Sequence, residues 1–229
     1  MLSAETSLAI DFKLYLITDR HAAKIPLPQA VRAALEGGVR AVQLREKDLP
    51  IRELLKLAGE LRRITKEYGA RLFINDRVDV AVAVDADGVH LGGESIPVDA
   101  VRRIVGDKML IGVSTHSLSE AVEAAQRGAD FITFGPAFET PSKKKYGPPV
   151  GLGPIAEIKK AIRIPVFALG GITVSNVSAV IDAGVDGIGL ISAILAADDI
   201  TAAAKNILAT IDRSGQAIRR EQRDGAAVG

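Results

Sequence analysis

Hydrophobic and polar positions follow one seven-residue pattern that occurs four times along the chain. The copies span 38–44, 85–91, 128–134 and 184–190, and in each of them apolar residues recur at alternate positions after a leading glycine or aspartate. Glycine suits the left-handed backbone that ends many helices, and short alternation of this kind predicts a strand. The pattern therefore predicts four helix ends, each followed by a strand.

Four further apolar runs, one before the first copy and one between each pair of consecutive copies, predict a second set of strands. They span 14–18, 71–75, 110–114 and 166–170, and short apolar runs are typical of strands buried on both faces. Between the strands, apolar residues recur at spacings of three and four, which predicts helices. Strands that alternate with helices in equal units predict a parallel sheet closed into a (β/α)8 barrel, the TIM-barrel fold, with eight strands and eight helices.

An open, doubly wound sheet is the alternative for such a chain. Its first turn usually carries a glycine-rich phosphate-binding sequence, whereas Asp19, Arg20 and His21 follow the first predicted strand here. The segment 151–156 matches that glycine pattern by its letters, but it follows a proline-rich loop and no strand. The barrel is therefore the favoured fold.

Composition is ordinary for a folded protein, with 48% hydrophobic and 25% charged residues, and no linker divides the chain. We expect one α/β domain over residues 1–229, with a barrel core over about 13–212. The remainder, 213–229, is polar without an apolar period, and we expect it to be frayed.

The absence of cysteine excludes disulfides, thiolate metal centres and a cysteine nucleophile. A net charge of +1 provides no strong field for nucleic acid or an anionic membrane. The sequence contains no apolar run of the roughly 18 residues that a membrane span requires, and its N-terminus does not resemble a signal peptide. We expect a cytoplasmic protein that acts on small molecules, with no nucleic-acid or membrane partner; the oligomeric state is left open.

Polar residues follow each predicted strand, at the barrel end where enzymes of this fold carry their chemistry. The strand ends are Thr18–Arg20, Gln43–Asp48, Asn75–Arg77, His90–Ser95, Ser114–His116, the loop 135–150, Gly170–Thr173 and Ile191–Ser192. We therefore expect a polar site at this rim.

Two strand ends predict a phosphate cradle. Gly170 and Gly171 precede a predicted helix, and Ile191 and Ser192 begin the next one. Free N–H groups at neighbouring helix starts bind anions, and the loops after strands seven and eight are the usual phosphate position of the fold. The alternative interpretation is that the glycines only turn the chain.

A second cluster of cations predicts a second anion site. Arg45 and Lys47 follow strand two, and Lys143 comes from the long loop after strand six. Arginine forks onto two phosphate oxygens and lysine supplies a point charge. For the adjacent Lys144 and Lys145 a solvated charge run is the simpler interpretation.

Asn75 and Asp76 suit a cation or polar substrate atoms, with an Asx turn as the alternative. His90 lies within a predicted strand, so a packed or supporting histidine is the simpler interpretation there. Three histidines scattered along the chain do not predict a metal triad.

These strings together resemble the thiamine-phosphate synthase family, in that family's order over about residues 13–195. The similar segments are Leu16–Asp19, Gln43–Lys47, Phe73–Asp76, Gly88–Gly92, Gly112–His116, Thr140–Lys143, Gly170–Ile172 and Ile191–Ala193. The resemblance implies a magnesium-dependent transferase that releases pyrophosphate from a hydroxymethylpyrimidine diphosphate and joins the resulting carbocation to a thiazole phosphate.

The resemblance also implies a role for each matching residue. The diphosphate would be held by Gln43, Arg45, Lys47, Asn75 and Lys143, magnesium by Asp76, the pyrimidine by Ser114, and the thiazole phosphate by Thr140, Ser142, Gly171, Ile191 and Ser192. Fixed cations around the departing pyrophosphate would lower the barrier, and the protein need offer no nucleophile.

The chain departs from the family at Ser95, where a second magnesium-binding aspartate is usual. A hydroxyl is a weaker ligand for a hard dication than a carboxylate, so we expect weakened magnesium binding. The related thiazole tautomerase family is the runner-up, but Pro136 stands at its acid–base histidine. A non-catalytic thiazole-phosphate binder and an aldolase using Lys47 as a Schiff base are further alternatives.

Overall fold

The computed structural model describes residues 9–140 and 149–226 and forms a closed barrel of eight parallel strands. The strands are β1 Leu14–Ile17, β2 Ala41–Leu44, β3 Arg71–Asn75, β4 Gly88–Leu91, β5 Leu110–Thr115, β6 Phe131–Phe134, β7 Val166–Leu169 and β8 Gly187–Leu190. Each strand pairs with the next along the chain, and β8 closes the ring by pairing with β1, with Tyr15 opposite Gly189. The predicted TIM barrel is confirmed.

Helices follow the strands and cover the outside of the barrel. They are α1 Leu27–Glu36, α2 Ile51–Glu67, α3 Val78–Ala83, α4 Val98–Val105, a 3-10 turn Gly106–Lys108, α5 Leu118–Gln126, α6 Ile155–Ala161, α7 Val177–Asp182, α8 Ser192–Leu195 and α9 Ile200–Ala226. Among the described residues, none of these helices is long and apolar enough to cross a membrane.

The four-fold sequence pattern marks helix ends with a left-handed residue. Its first positions, Gly38, Asp85, Gly128 and Gly184, have φ values of 102°, 53°, 95° and 91°. Glycine adopts this conformation without a Cβ penalty and aspartate tolerates it better than most residues. The predicted link between the pattern and helix termination is confirmed.

Aromatic rings fill the lower barrel, and a glycine faces each of three of them on the neighbouring strand. The register pairs Phe73 with Gly88, Gly112 with Phe131, and Phe167 with Gly187. A Cβ on Gly88 would lie 2.6 Å from the ring of Phe73, and a Cβ on Gly187 would lie closer still to that of Phe167. The glycines therefore make the room that the rings occupy.

Tyr15 and Phe12 complete this aromatic layer, with ring centroids 5.2 to 5.8 Å apart between Phe12 and its four neighbours. The rings meet at tilted or edge-to-face angles, which suits their quadrupoles. This apolar floor closes one end of the barrel, so polar side chains further along the strands lie at the opposite end.

The last helix extends beyond the expected end of the barrel core. One β-strand, β8, is followed by two helices, and α9 runs without interruption across residue 212, the expected end of the core, to Ala226. The first half of α9 packs on the barrel through the buried side chains of Ala204, Ile207 and Ile211. The polar segment beyond them contains four arginines and two glutamines, which favour helix even without an apolar face. Fraying of 213–229 stays a prediction.

Candidate active site

Four polar side chains from neighbouring strand ends meet at the carboxyl rim of β2, β3 and β4. The hydroxyl of Ser95 donates to Oδ1 of Asp76, and the amide of Asn75 donates to Oδ2 over 2.7 Å. Nζ of Lys47 lies 3.6 Å from the same Oδ2. Ser95 in turn accepts a hydrogen bond from the backbone N–H of Gly92 over 2.7 Å. The structure thus brings together Lys47, which the sequence predicted for an anion site, and Asp76, which it predicted for a cation site.

Asp76 is held firmly at this rim. Its backbone N–H donates to the carbonyl oxygen of His90 over 2.9 Å, which continues the pairing of β3 with β4, and its φ is 59°. Burial alone would raise the pKa of Asp76, but the hydrogen bond from Ser95 and the charge of Lys47 outweigh it and lower the pKa below the ordinary aspartate value. Asp76 is therefore an anion near neutral pH.

The loop after β2 is anchored by a buried carboxylate. Glu46 is 5% exposed and accepts hydrogen bonds from the backbone N–H and the guanidinium of Arg20, each at 3.1 Å. The backbone N–H of Arg45 donates to the hydroxyl of buried Thr18 over 2.8 Å. These contacts fix the loop carrying Arg45 and Lys47 against the end of β1.

A hydrogen-bonded network of buried side chains lies inside the barrel. Nε2 of Gln43 donates to the hydroxyl of Tyr15 over 3.1 Å, and that hydroxyl lies 3.4 Å from Nδ1 of His90. Nε2 of His90 lies 3.0 Å from Oγ of Ser114, and the hydroxyl of Thr133 lies 3.3 Å from Ser114. Of the five, only Ser114 is half-buried; the other four are buried.

His90 is neutral at physiological pH. Burial lowers its pKa to about 3; the carboxylate of Asp76 opposes this shift and the guanidinium of Arg45 adds to it. Because the charges of Asp76 and Arg45 both act on His90, the interior network lies within electrostatic reach of the rim. This burial agrees with the expectation that His90 is a packed, supporting histidine.

The loops after β6 and β7 are joined by backbone hydrogen bonds. The N–H of Ala137 donates to the carbonyl oxygen of Leu169 over 2.8 Å, and that of Phe138 donates to Gly170 over 3.0 Å. A Cβ on Gly171, whose φ is 65°, would lie 2.7 Å from the carbonyl oxygen of Glu139. The chain leading to position 140 therefore packs directly over Gly171.

The turn after Gly171 is capped by one side chain. Asn176 donates from Nδ2 to the carbonyl oxygen of Gly171 over 3.0 Å and accepts at Oδ1 from the N–H of Thr173 over 2.8 Å. On the neighbouring strand, β8 ends at Leu190, Ile191 is the N-cap of α8, and Ser192 begins that helix. The structure thus places the predicted cradle residues on adjacent loops, across the barrel mouth from Lys47 and Asp76.

Apart from Arg45 on the loop after β2 and from Thr140, Gly171, Ile191 and Ser192 on the loops after β6, β7 and β8, the predicted site residues divide into three groups. Lys47, Asn75, Asp76 and Ser95 are in contact. Gln43 is only 1% exposed and joins the interior network with Ser114, below the rim, so its contact with a diphosphate stays a prediction. Ser142 and Lys143 lie outside the described residues.

The sequence did not single out Tyr15, Thr133 or Glu46. Tyr15 carried a signal, because a tyrosine in an aliphatic strand needs a partner for its hydroxyl. Glu46 carried none: between Arg45 and Lys47 it resembles one more solvated charge, and its burial depends on the contact with Arg20.

A shallow cavity of about 430 Å³ opens beside Asp76. Asp76, Val78, Asp79, Glu94, Ser95 and Ile96 line it. The carboxylate of Asp79 is engaged by the guanidinium of Arg77. Within the described residues, no group of three or more histidine, aspartate or glutamate side chains is arranged to hold a metal ion.

The closed barrel with its polar rim places the chain among the (β/α)8-barrel enzymes. Residues 14–194 match the family described as thiamine monophosphate synthase. A relative from Geobacter sulfurreducens is 55% identical over 203 residues, which cover 88% of this chain and 95% of the relative. The thiamine-phosphate synthase of Roseiflexus castenholzii is 48% identical over 84% of this chain and 85% of its own. The chain belongs to the thiamine monophosphate synthase family.

A solved structure agrees with this assignment. The thiamine phosphate pyrophosphorylase from Pyrococcus furiosus superimposes with a TM-score of 0.82 at 42% identity, covering 89% of this chain and 96% of that one. The expected synthase function, and with it a transferase, is confirmed. The tautomerase alternative is not favoured, because the named relatives are synthases.

Proposed function

We propose that the chain joins a hydroxymethylpyrimidine diphosphate to a thiazole phosphate through a pyrimidine carbocation, with Mg²⁺ and the diphosphate held between Lys47 and Asp76. The observation that carries the proposal is the 3.6 Å approach of Nζ of Lys47 to Oδ2 of Asp76. A cation and a carboxylate at one rim are what a diphosphate with its Mg²⁺ requires, since the lysine meets phosphate oxygens and the carboxylate meets the metal.

The donor set around Asp76 fits Mg²⁺. This ion takes one or two carboxylates and completes its shell with water and substrate phosphates. Asp76 is ionised, and the hydroxyl of Ser95 is already directed to it. Asp76 and Ser95 would hold the ion, which when bound neutralises charge on the diphosphate. The loss of the usual second aspartate supports weaker metal binding than in relatives that have it.

The chemistry needs no protein nucleophile. The C–O bond between the pyrimidine methylene carbon and the diphosphate breaks, and its electron pair leaves with the oxygen. The thiazole nitrogen then donates its lone pair to the methylene cation and forms the C–N bond, which gives a thiazolium and free pyrophosphate. The cations Arg45, Lys47 and Lys143 and the amide of Asn75 would stabilise the departing charge, because fixed cations and hydrogen-bond donors cost no reorganisation during the reaction.

The opposite side of the rim would hold the second substrate. Gly171, Ile191 and Ser192 lie on the adjacent loops after β7 and β8, where the fold usually binds phosphate. The chain leading to Thr140 packs over Gly171, so Thr140 would reach the same phosphate; the role of Ser142 is proposed from the family resemblance alone, because it lies outside the described residues. Ser114, at the top of the interior network, would contact the pyrimidine between the two anion sites.

The test is product formation from the two phosphorylated heterocycles, followed by thiochrome fluorescence with and without a chelator. We expect product only with Mg²⁺, restored when Mg²⁺ is added back in excess. Equal turnover in the chelator would remove the metal from the proposal, and no product with Mg²⁺ would remove the substrate pair. Cytoplasmic location, and small molecules as the only partners, stay predictions.

A further inference from the structure

We propose that Gln43, Tyr15 and His90 form a directional hydrogen-bond chain that makes the hydroxyl of Ser114 a donor toward the substrate ring. Tyr15 and His90 are then positioning residues, and the ring must present an acceptor nitrogen to Ser114. The ring assignment rests on the proposed function; the direction of the chain rests on contacts within the barrel.

The direction begins at Gln43. Its Nε2 donates to the Tyr15 hydroxyl over 3.1 Å, so the oxygen of Tyr15 accepts there. The only proton of that hydroxyl is then free for Nδ1 of His90, 3.4 Å away. Tyr15 is wholly buried, so water does not offer its hydroxyl an alternative partner.

The direction continues through the imidazole. A neutral histidine that accepts at Nδ1 carries its proton on Nε2. Nε2 lies 3.0 Å from Oγ of Ser114 and 3.4 Å from the hydroxyl of Thr133. Ser114 therefore accepts from His90, and Thr133 donates to Ser114 over 3.3 Å. The proton of Ser114, the one half-buried member, is left for a group in the barrel mouth.

The barrel is built around the histidine ring. Gly112 pairs with His90 across β4 and β5, and a Cβ on it would lie 2.6 Å from Nδ1. The rings of Tyr15 and Phe131 pack on the imidazole with centroids 5.6 and 5.8 Å away. This packing holds the two ring nitrogens toward their partners, so the tautomer of His90 sets the polarity of Ser114.

The first test measures the tautomer directly, without substrate or metal. In a protein labelled with 15N at histidine, the side-chain NMR signals of His90 should show a protonated Nε2 and an unprotonated Nδ1. A proton on Nδ1 would overturn the proposal, because Ser114 would then donate its proton to Nε2 of His90 and not to the substrate ring. This result does not depend on the reaction, so it distinguishes failure of the chain from failure of the proposed function.

The second test uses two pyridine analogues of the pyrimidine diphosphate, each with one ring nitrogen replaced by C–H. We expect the wild type to discriminate against one of them by about tenfold in kcat/KM, the value of one hydrogen bond. Tyr15→Phe keeps the ring but frees the tautomer, so it should reduce that discrimination and populate protonated Nδ1.

Tyr68→Phe is the matched control, since Tyr68 donates to Glu36 over 3.2 Å on the outer surface. It should leave the tautomer and the discrimination unchanged. If Tyr15→Phe discriminates as the wild type does, or if the control loses discrimination equally, the proposed role of Tyr15 is wrong.

Discussion

Nζ of Lys47 lies 3.6 Å from Oδ2 of Asp76 across the ends of β2 and β3, and the two side chains are 58% and 33% exposed. An ion pair this accessible contributes little to stability, about 0–1 kcal/mol. Its arrangement is informative for another reason: each partner is available to a ligand of opposite charge that enters the mouth of the barrel. The pair therefore marks the point where a diphosphate and its metal would meet the protein.

Asp76→Asn keeps the shape of this side chain and removes its charge. We expect the Mg²⁺ concentration for half-maximal turnover to rise at least about tenfold, because a carboxylate ligand is lost. Initial rates by thiochrome fluorescence over a Mg²⁺ titration measure this. Asp79→Asn is the control, since Asp79 lines the same cavity but pairs with Arg77. A normal midpoint for the Asp76 variant would contradict the metal role.

Ser95→Asp restores the carboxylate that is usual in the family. We expect tighter Mg²⁺ binding, by about tenfold, and lower stability in a chelator because two carboxylates then face each other without a cation. Calorimetric titration and thermal unfolding, each with and without Mg²⁺, measure the two effects. Ser95→Ala, which removes the donor to Asp76, should weaken binding instead. If the aspartate variant changes neither quantity, position 95 does not face the metal.

Lys143→Ala tests the loop after β6. Loss of a charge-assisted contact to the departing diphosphate should lower kcat/KM by about 10- to 100-fold. Lys144→Ala removes the same charge from the next residue, which we interpret as solvated, and should have little effect. Steady-state kinetics of both variants decide between a specific role and a general charge effect, and equal rates for Lys143→Ala and the wild type would exclude the role.

Gly112→Ala tests the space around the aromatic floor. Its Cβ would lie 2.6 Å from Nδ1 of His90 and closer still to the ring of Phe131, so we expect a loss of about 1–3 kcal/mol in the free energy of unfolding. Gly59→Ala, inside α2 with nothing within 4 Å of the new Cβ, should instead stabilise by roughly 0.5–1 kcal/mol. Urea unfolding measures both, and the same sign for the two variants would contradict the packing argument.

The sequence predicted the barrel because its evidence is local. Apolar alternation and a left-handed residue at each repeat, as at Gly38 and Asp85, determine where helices end and strands begin. The polar residues at the strand ends could be found once the strands were known. Parallel strands carry the residues that follow them, such as Lys47 and Asp76, to one rim of the barrel.

The interior contacts were not predictable in this way. The pairing of Phe131 with Gly112, and the hydrogen bond between Gln43 and Tyr15, depend on register between strands distant in sequence. The extension of α9 beyond residue 212 was not predicted either, because the polar segment that follows has no apolar period to indicate a helix.

The most direct test of the account is a crystal structure of the protein with pyrophosphate and Mg²⁺. We predict pyrophosphate in contact with Arg45 and Lys47, with the metal on the carboxylate of Asp76. Pyrophosphate bound at a distance from Arg45 and Lys47 would contradict the proposed diphosphate site.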